Sequence, residues 1–299
     1  MTGQTDLVSP RNFKIGVVLM LTAYLMFAMA DTVNKWLALA SLPLVQFAAT
    51  RYGSHFIITL VEARYRGVKK SDITGHIGLL ILRGLLLASS TFAVYAALRH
   101  LSLSMFSALL FASPFFVCIL SAPLLKEHVG VWRWSAVIVG FMGVLIIIRP
   151  FDSAFHISSF AVLYAAFALA LYAIATRKLA HQCPPHVMQL FAGGVGTILF
   201  VPFAIYLWQP VGIMTMALMI FVGLVSWGGH EMLSRAHKMA PASTLSLYSY
   251  SFIIFLTAAG YLIFDEIPDT TTIFGTVIIV MCGLVIWYRE AIVKAGKLS

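Results

Sequence analysis

Apolar runs of about twenty residues recur along this chain and restrict it to one environment. Each run can cross the hydrocarbon core of a bilayer, and only as a helix, because lipid offers no partner to an unpaired backbone. Only 10% of the residues are charged, against about 25% in soluble domains, which excludes water-soluble, disordered and disulfide-stapled folds. The sequence predicts an all-α integral membrane protein with ten transmembrane helices, at 13–36, 44–65, 76–98, 103–125, 131–149, 157–179, 186–208, 213–234, 241–264 and 271–288.

The basic residues are distributed unevenly between the loops on the two sides of the membrane. If the N-terminus is cytoplasmic, 15 of the 20 Lys and Arg residues lie on that side, and only Lys35, Arg99 and Arg149 lie on the other. Cytoplasmic loops carry such an excess, so we expect both termini in the cytoplasm of a bacterial inner membrane. The net charge of +9 then reflects orientation and not nucleic-acid binding. For the first run, a signal peptide cleaved after 28–30 is the alternative, but the run is long for that role.

The chain is similar to itself at a shift of about 140 residues. Residues 24–30 align with 164–170, and Gly84 aligns with Gly223 at a shift of 139. Because five spans per repeat is an odd number, the second half must enter the membrane from the opposite side, which is a recurring plan of secondary transporters. We therefore expect two inverted five-helix repeats that move a solute by alternating access. The expected segments are a cytoplasmic tail (1–12), the first repeat (13–149), a connector (150–156), the second repeat (157–288) and a second cytoplasmic tail (289–299).

Several motifs resemble those of a known family. They are Arg83-Gly84 at the start of span 3, Pro114 in span 4, Phe264-Asp265-Glu266 at the end of span 9, and Gly140 to Val144 followed by Arg149-Pro150. Together with the paired halves, they are similar to the EamA family of the drug/metabolite transporter superfamily. Segments 82–87, 134–150 and 264–269 look most like the S-adenosylmethionine transporter branch. The resemblance implies a central cavity lined by spans 1, 3, 4, 6, 8 and 9, with spans 5 and 10 peripheral, and a small-metabolite transporter that is not an enzyme.

Spans 4 and 9 are repeat equivalents, and each carries polar or small side chains on one helix face. Ser107 and Pro114 belong to this stripe in span 4, as do Ser246 and Tyr250 in span 9. Steps of three and four residues place them on one face. Two interpretations stay open, namely lining of a cavity and close helix packing through small residues. Pro114 is expected to kink its helix and to free a carbonyl group.

Charged side chains inside spans are costly, so each is a candidate functional group. Asp31 and Arg51 fall in the outer third of the membrane and are expected to pair, with Lys35 joining them. Either such pairs fix helix register, or a carboxylate couples proton movement to substrate or contacts a charged solute. The candidate ion-pairing or coupling residues, of which the last three share a similar depth, are Asp31, Arg51, Glu62, Arg83 and Glu231.

Aromatic side chains within the spans suit an amphipathic metabolite or an organic cation, although they also fill cores. The expected substrate is amino-acid-like or nucleoside-like, with S-adenosylmethionine as the leading candidate. The candidate substrate-pathway residues are Tyr24, Asp31, Arg83, Tyr95, Ser107, Phe111, Pro114, Tyr164, Tyr172, Trp227, His230, Glu231, Ser246 and Tyr250. For two of them, Arg83→Ala and Glu231→Gln are each expected to reduce transport and leave folding largely intact.

Motifs of other function classes are missing from the sequence. No phosphate-binding loop, H-E-x-x-H motif or CxxC pair occurs, so we expect no catalytic residue, metal or cofactor. The expected partners are a small-molecule substrate and the lipid bilayer, with a homodimer left open and no nucleic acid. The alternatives are an amino-acid or drug exporter of the same fold and, from other classes, an intramembrane enzyme or a scaffold.

Overall fold

The computed structural model describes residues 10–125, 131–149, 155–179, 182–239 and 245–296. These ranges contain helices and no strand, which confirms the all-α class. The helices are α1 (Pro10–Leu39), α2 (Leu44–Arg66), α3 (Lys70–Ile73), α4 (Ile77–Leu98), α5 (Leu103–Leu110), α6 (Ser113–Leu125), α7 (Val131–Ile148), α8 (Ser158–Leu179), α9 (Pro185–Tyr206), α10 (Ile213–Met239), α11 (Ser251–Phe264) and α12 (Thr270–Gly296).

Spans 4 and 9, which were expected to be repeat equivalents, are both irregular helices. α5 ends at Leu110 and α6 begins at Ser113, because Pro114 has no N–H to continue the helical hydrogen bonds. Before α11, residues Ser246–Tyr250 form a tighter 3-10 helix. The kink expected from Pro114 is confirmed, and both irregular segments lie near the middle of the bundle.

Long helices pack in pairs, α1 against α10, α2 against α9, α4 against α8, and α7 against α12. Two glycines allow close approach where a side chain would not fit. A Cβ atom on Gly84 would lie 2.8 Å from the Cβ of Val195, and one on Gly223 would lie 2.9 Å from the carbonyl oxygen of Arg51. Small residues serve this purpose in membrane helix packing.

The bundle has two ends, and a residue near each gives that end its name. At the Lys35 end, where α1, α4 and α11 finish, Arg99 donates hydrogen bonds to the carbonyl oxygens of Ala38 and Leu42 at 3.0 and 3.3 Å. At the Arg66 end, where α2, α8 and α10 finish, Gly67 terminates α2 with a φ of 76°, a conformation that favours glycine. The short helix α3, which the hydropathy windows did not predict, follows there.

The described helices have the dimensions and the surface of membrane spans. Six helical segments are long and apolar enough to cross a bilayer, at 11–39, 77–98, 103–120, 158–179, 185–206 and 213–236, and the third of them joins α5 to the first part of α6. Three shorter apolar helices lie at 134–148, 248–264 and 270–285, whereas α2, with Arg51 and several charges near its end, falls outside both sets. Large apolar side chains face outward, as at Ile198 and Leu262, each 76% exposed. The protein is therefore a multi-pass membrane protein.

Candidate functional site

A cavity of about 350 Å³ lies near the middle of the bundle. Residues of α1, α2, α4, α5, α8, α10 and α11 surround it, together with the α5–α6 break and the 3-10 segment. Its volume falls within the range of small-molecule sites, which are typically about 300–1,000 Å³. The aromatic part of the lining is Tyr24, Phe27, Phe106, Phe111, Tyr172 and Phe252.

Three ionisable side chains interrupt this aromatic lining. They are Asp31 from α1, Arg51 from α2 and His230 from α10. Asp31 accepts a hydrogen bond from the amide of Asn34 at 3.3 Å, and His230 packs edge-on against Phe27 with ring centroids 5.0 Å apart. The cavity therefore offers an anion, a cation and an imidazole within an otherwise apolar space.

Seven of the predicted residues line the cavity, and one more packs against its wall. The lining residues are Tyr24, Asp31, Arg51, Phe111, Pro114, Tyr172 and His230. Tyr250 stacks behind Phe111 with ring centroids 5.0 Å apart. Of the predicted stripe in span 4, Phe111 and Pro114 therefore line the cavity.

Three other predicted residues, Ser107, Tyr164 and Trp227, lie away from the cavity wall. Ser107 is buried and donates to the carbonyl oxygen of Ser104 at 2.9 Å, which fits the packing interpretation. Tyr164 is 48% exposed on the outer surface, and Trp227 is half-buried without contacting the cavity. The side chain of Ser246 lies outside the described part of the structure.

Arg83 lies inside the protein wall and does not line the cavity. Its guanidinium donates to the hydroxyl of Thr176 and to the carbonyl oxygen of Met188, both at 2.8 Å, and to the hydroxyl of Tyr172. It also lies 4.2 Å from the centre of the Tyr172 ring. Arg83 thus joins α4 to α8 and α9 and contacts a residue of the cavity wall.

The ion pairs differ from those expected. Glu62 pairs with Arg66 at 3.1 Å and Glu231 with Arg235 at 2.8 Å, each one helical turn away, so neither carboxylate pairs with Arg83. The i,i+4 spacing that brings such charges together was present in the sequence.

The expected cluster of Asp31, Arg51 and Lys35 does not form as such. Lys35 pairs with Glu266 instead and also donates to the carbonyl oxygen of Leu101 at 2.7 Å. Among the described residues, Asp31 and Arg51 make no direct ion pair although they line the same cavity.

Two ion pairs link the two halves of the chain at the Lys35 end. Glu266 binds Lys35 and accepts a hydrogen bond from the backbone N–H of Leu103 at 2.9 Å. Nearby, Arg149 pairs with Asp269. Partial burial alone would raise the pKa of the Asp269 carboxyl, but hydrogen bonds from Thr272 and Arg149 outweigh it and lower that pKa below its ordinary value of 3.8. The pair is therefore charged at neutral pH.

Sequence reasoning missed several polar residues of the cavity. Ser90 and Thr91 lie on its α4 side, Ser113 beside Pro114, and Ser226 one turn before His230. The signal that could have identified Ser226 is its i,i+4 spacing to His230 on an apolar helix. No group of three or more His, Cys, Asp or Glu side chains that could hold a metal occurs within the described ranges.

Comparison with known families gives a match that covers both halves of the chain. The model of the EamA-like transporter family matches residues 14–149 and again residues 156–288. The same family description therefore applies twice along one sequence.

Named relatives of similar length carry different substrates in their names. A riboflavin transporter of Vibrio cholerae is 29% identical over 273 residues, covering 89% of this chain and 90% of the relative. An S-adenosylmethionine uptake transporter of Rickettsia bellii is 26% identical over 288 residues, covering 96% and 98%. The pseudopaline exporter CntI of Pseudomonas aeruginosa is 28% identical over 273 residues, covering 90% and 94%.

The fold also occurs among solved structures. One crystal structure superimposes with a TM-score of 0.61 and 16% sequence identity, over 90% of this chain and 95% of the other. At that identity, the likeness concerns the fold alone.

Proposed function

The chain belongs to the EamA-like transporter family, and from this premise we propose that it is a secondary transporter, and not an enzyme, which moves a small organic metabolite by alternating access. The observation that carries the proposal is the central cavity of about 350 Å³, with its aromatic wall and its charged groups. Charged side chains buried in a membrane bundle are expensive and mark solute or ion pathways.

Alternating access is supported by the pairing of the helices. If the two family matches are inverted repeats, α1 corresponds to α8 and α4 corresponds to α10. Exchange of the repeats then converts the α1–α10 contact into the α8–α4 contact, and both are present. The same exchange leaves the α2–α9 and α7–α12 contacts unchanged, because α2 corresponds to α9 and α7 corresponds to α12. An architecture of ten spans in two inverted repeats, at 13–149 and 157–288, accounts for this pattern, and such a bundle can rock about a shared site.

The irregular segments support the same mechanism. Transporter sites often form at discontinuous helices near the middle of the membrane. Here the α5–α6 break contributes Phe111 and Pro114 to the cavity, and the 3-10 segment contributes Ser249. The two irregular segments occupy corresponding positions in the two proposed repeats.

The lining favours an amphipathic substrate. Phe27, Phe111 and Tyr172 present ring faces or edges that suit a planar or apolar group, while Asp31 and Arg51 suit charged ends. An amino-acid-like or nucleoside-like metabolite combines these features, and S-adenosylmethionine is the compound that we propose to test first.

The distribution of basic residues supports a location in the bacterial cytoplasmic membrane with both termini in the cytoplasm. In that orientation, the Arg66 end of the bundle faces the cytoplasm and the Lys35 end faces outward.

Flux in proteoliposomes tests the proposal. The purified chain should take up labelled S-adenosylmethionine in a saturable manner and accelerate counterflow when the vesicles are preloaded with unlabelled compound. A channel would give no counterflow, and a scaffold would give no flux. The proposed transport would be overturned if the proteoliposomes exchanged neither S-adenosylmethionine nor any of the tested amino acids and nucleosides.

A matched pair of substitutions connects the flux to the cavity. Ala30 lies in the cavity wall, so Ala30→Leu places three additional carbon atoms where solute would bind and should reduce uptake at least about tenfold. Ala258 is exposed on α11, so Ala258→Leu makes the same change at the outer surface and should leave uptake unaltered. Equal uptake by both variants would show that the cavity does not carry the substrate.

A further inference from the structure

The guanidinium of Arg51 is fixed in position but makes few polar contacts. It donates one hydrogen bond to the hydroxyl of Tyr95 at 3.1 Å and lies 5.8 and 5.9 Å from the ring centres of Tyr52 and Tyr95. Tyr95 is itself fully buried and packs on Phe47 with ring centroids 4.6 Å apart. Within the described residues, the other N–H groups of Arg51 have no hydrogen-bond partner, and no carboxylate lies at ion-pair distance from its guanidinium.

Helix α10 brings two further polar groups to the same side of the cavity. Its Gly223 lies against the backbone of Arg51, and Ser226 and His230 follow on the same face after one and two turns. The hydroxyl of Ser226 is buried in the wall and has no hydrogen-bond partner. The ring of His230 lies 6.3 Å from that of His55, which is one turn after Arg51 on α2.

The hydroxyl of Ser226 requires an explanation, because a buried hydroxyl without a partner is costly. The guanidinium of Arg51 is half-buried and lines the same cavity, and its only hydrogen bond within the described residues goes to Tyr95. A guanidinium matches a carboxylate geometrically and binds it through two parallel hydrogen bonds. Asp31 already supplies one negative charge to the cavity. A singly charged anion that carries its own cation therefore balances the site, whereas a phosphate dianion would leave it with excess negative charge.

We propose that Arg51, Ser226 and His230 form a subsite for a carboxylate of the substrate, and that Asp31 faces the cationic group of the same molecule. This inference rests on the proposed transport function and adds the substrate class to it, which is a compound with a zwitterionic amino-acid part and an apolar or aromatic body. A neutral planar compound such as riboflavin, which the name of the Vibrio cholerae relative contains, would leave Arg51 without an anion and should bind poorly.

Ligand pairs that differ only in the carboxylate test the subsite by binding, without the need for transport. The purified chain is titrated by thermal shift with S-adenosylmethionine, with decarboxylated S-adenosylmethionine, and with amino acids and their corresponding amines. The wild type should bind the carboxylate member of a pair roughly 10- to 100-fold more tightly, in line with a charged hydrogen-bonded contact.

Substitutions then locate the preference. Arg51→Gln should remove it, so that both members of a pair bind with the weaker affinity, and Ser226→Ala should reduce it several-fold. Arg66→Gln removes a charge from an exposed side chain at the end of α2 and should preserve the preference. Correct folding of each variant is verified by its melting temperature without ligand.

The outcomes separate this inference from the proposed function. A preference that persists in Arg51→Gln, or a wild type that no carboxylate compound stabilises, overturns the subsite even if proteoliposomes transport another metabolite. Arg51-dependent binding of a zwitterion without any flux would retain the subsite and overturn the transport mechanism.

Discussion

At the scale of single residues, Arg83 shows how one side chain can position others without lining the cavity. Its three hydrogen bonds end on α8 and α9, and one of the acceptors is the hydroxyl of Tyr172, whose ring forms part of the cavity wall. Arg83 is only 5% exposed, so water cannot replace these partners if they are lost. Removal of the guanidinium should therefore affect both the helix packing and the shape of the cavity.

Arg83→Ala is expected to destabilise the protein as well as to reduce transport, in contrast to the effect expected from the sequence. The loss of charged hydrogen bonds and of the ring contact should lower the free energy of unfolding by about 2–4 kcal/mol. Thr176→Val removes a single partner and should cost about 1 kcal/mol. Equilibrium unfolding in detergent measures both. An Arg83→Ala variant as stable as the parent would show that these contacts do not hold the helices together.

The sequence alone allowed some of the cavity-lining residues to be predicted, but not their partners. Asp31, Arg51 and His230 stand out because charge is rare in apolar spans, and the structure places all three in one cavity. The partner of a charge was harder to predict, because it depends on packing between distant segments. Lys35 pairs with Glu266, 231 residues away, and not with Asp31 one turn before it.

At the scale of helices and loops, the Lys35–Glu266 pair connects parts of the chain that must separate if the cavity opens at that end. Lys35 lies in the last two turns of α1, and Glu266 lies in the loop after α11. Glu266 also accepts a hydrogen bond from the backbone N–H of Leu103, at the start of α5. Lys35 is 4% exposed, so loss of its partner leaves a charge in a poorly hydrated position. The two halves are thus joined where α1, α5 and α11 meet.

A double-mutant cycle tests the strength of this connection. Glu266→Gln should destabilise the protein by roughly 3 kcal/mol, because it leaves the buried ammonium group of Lys35 without its opposite charge. Lys35→Met should cost less, because the Glu266 carboxylate that it leaves unpaired is 22% exposed. The double variant should recover most of that loss, since replacement of both partners removes the uncompensated charge. Independent, additive effects of the two substitutions on the free energy of unfolding would contradict a direct pair.

Helix positions were more predictable than helix contacts. Each apolar run of the sequence became helical in the described ranges, although the run at 103–125 is divided between α5 and α6, because a lipid-facing backbone has no other way to satisfy its hydrogen bonds. The four-residue helix α3 escaped the windows because it is too short and polar to produce a hydropathy signal. The pairing of α1 with α10 depends on how the two halves pack, which hydropathy does not encode.

At the scale of the whole molecule, two ion pairs between described residues join the two halves of the chain, and both lie at the same end. Lys35–Glu266 and Arg149–Asp269 join the halves at the Lys35 end. In the described residues of the Arg66 end, the ion pairs of Glu62 and Glu231 stay within single helices. If the repeats are inverted, their exchange produces a second state in which the Lys35 end opens and the opposite end closes.

Distances between spin labels at the two ends test this exchange. After replacement of the three free cysteines, labels at Ser41 and Thr270 report on the Lys35 end, and labels at Thr74 and Lys178 report on the opposite end, because all four positions are exposed. Glu266→Gln weakens the bonds that hold the Lys35 end together. If the two halves move as rigid bodies about the cavity, the substitution should therefore lengthen the first distance and shorten the second within the same population of molecules. Distances that increase at both ends together, or an Arg66 end that does not respond, would be incompatible with two inverted repeats that rock about one site.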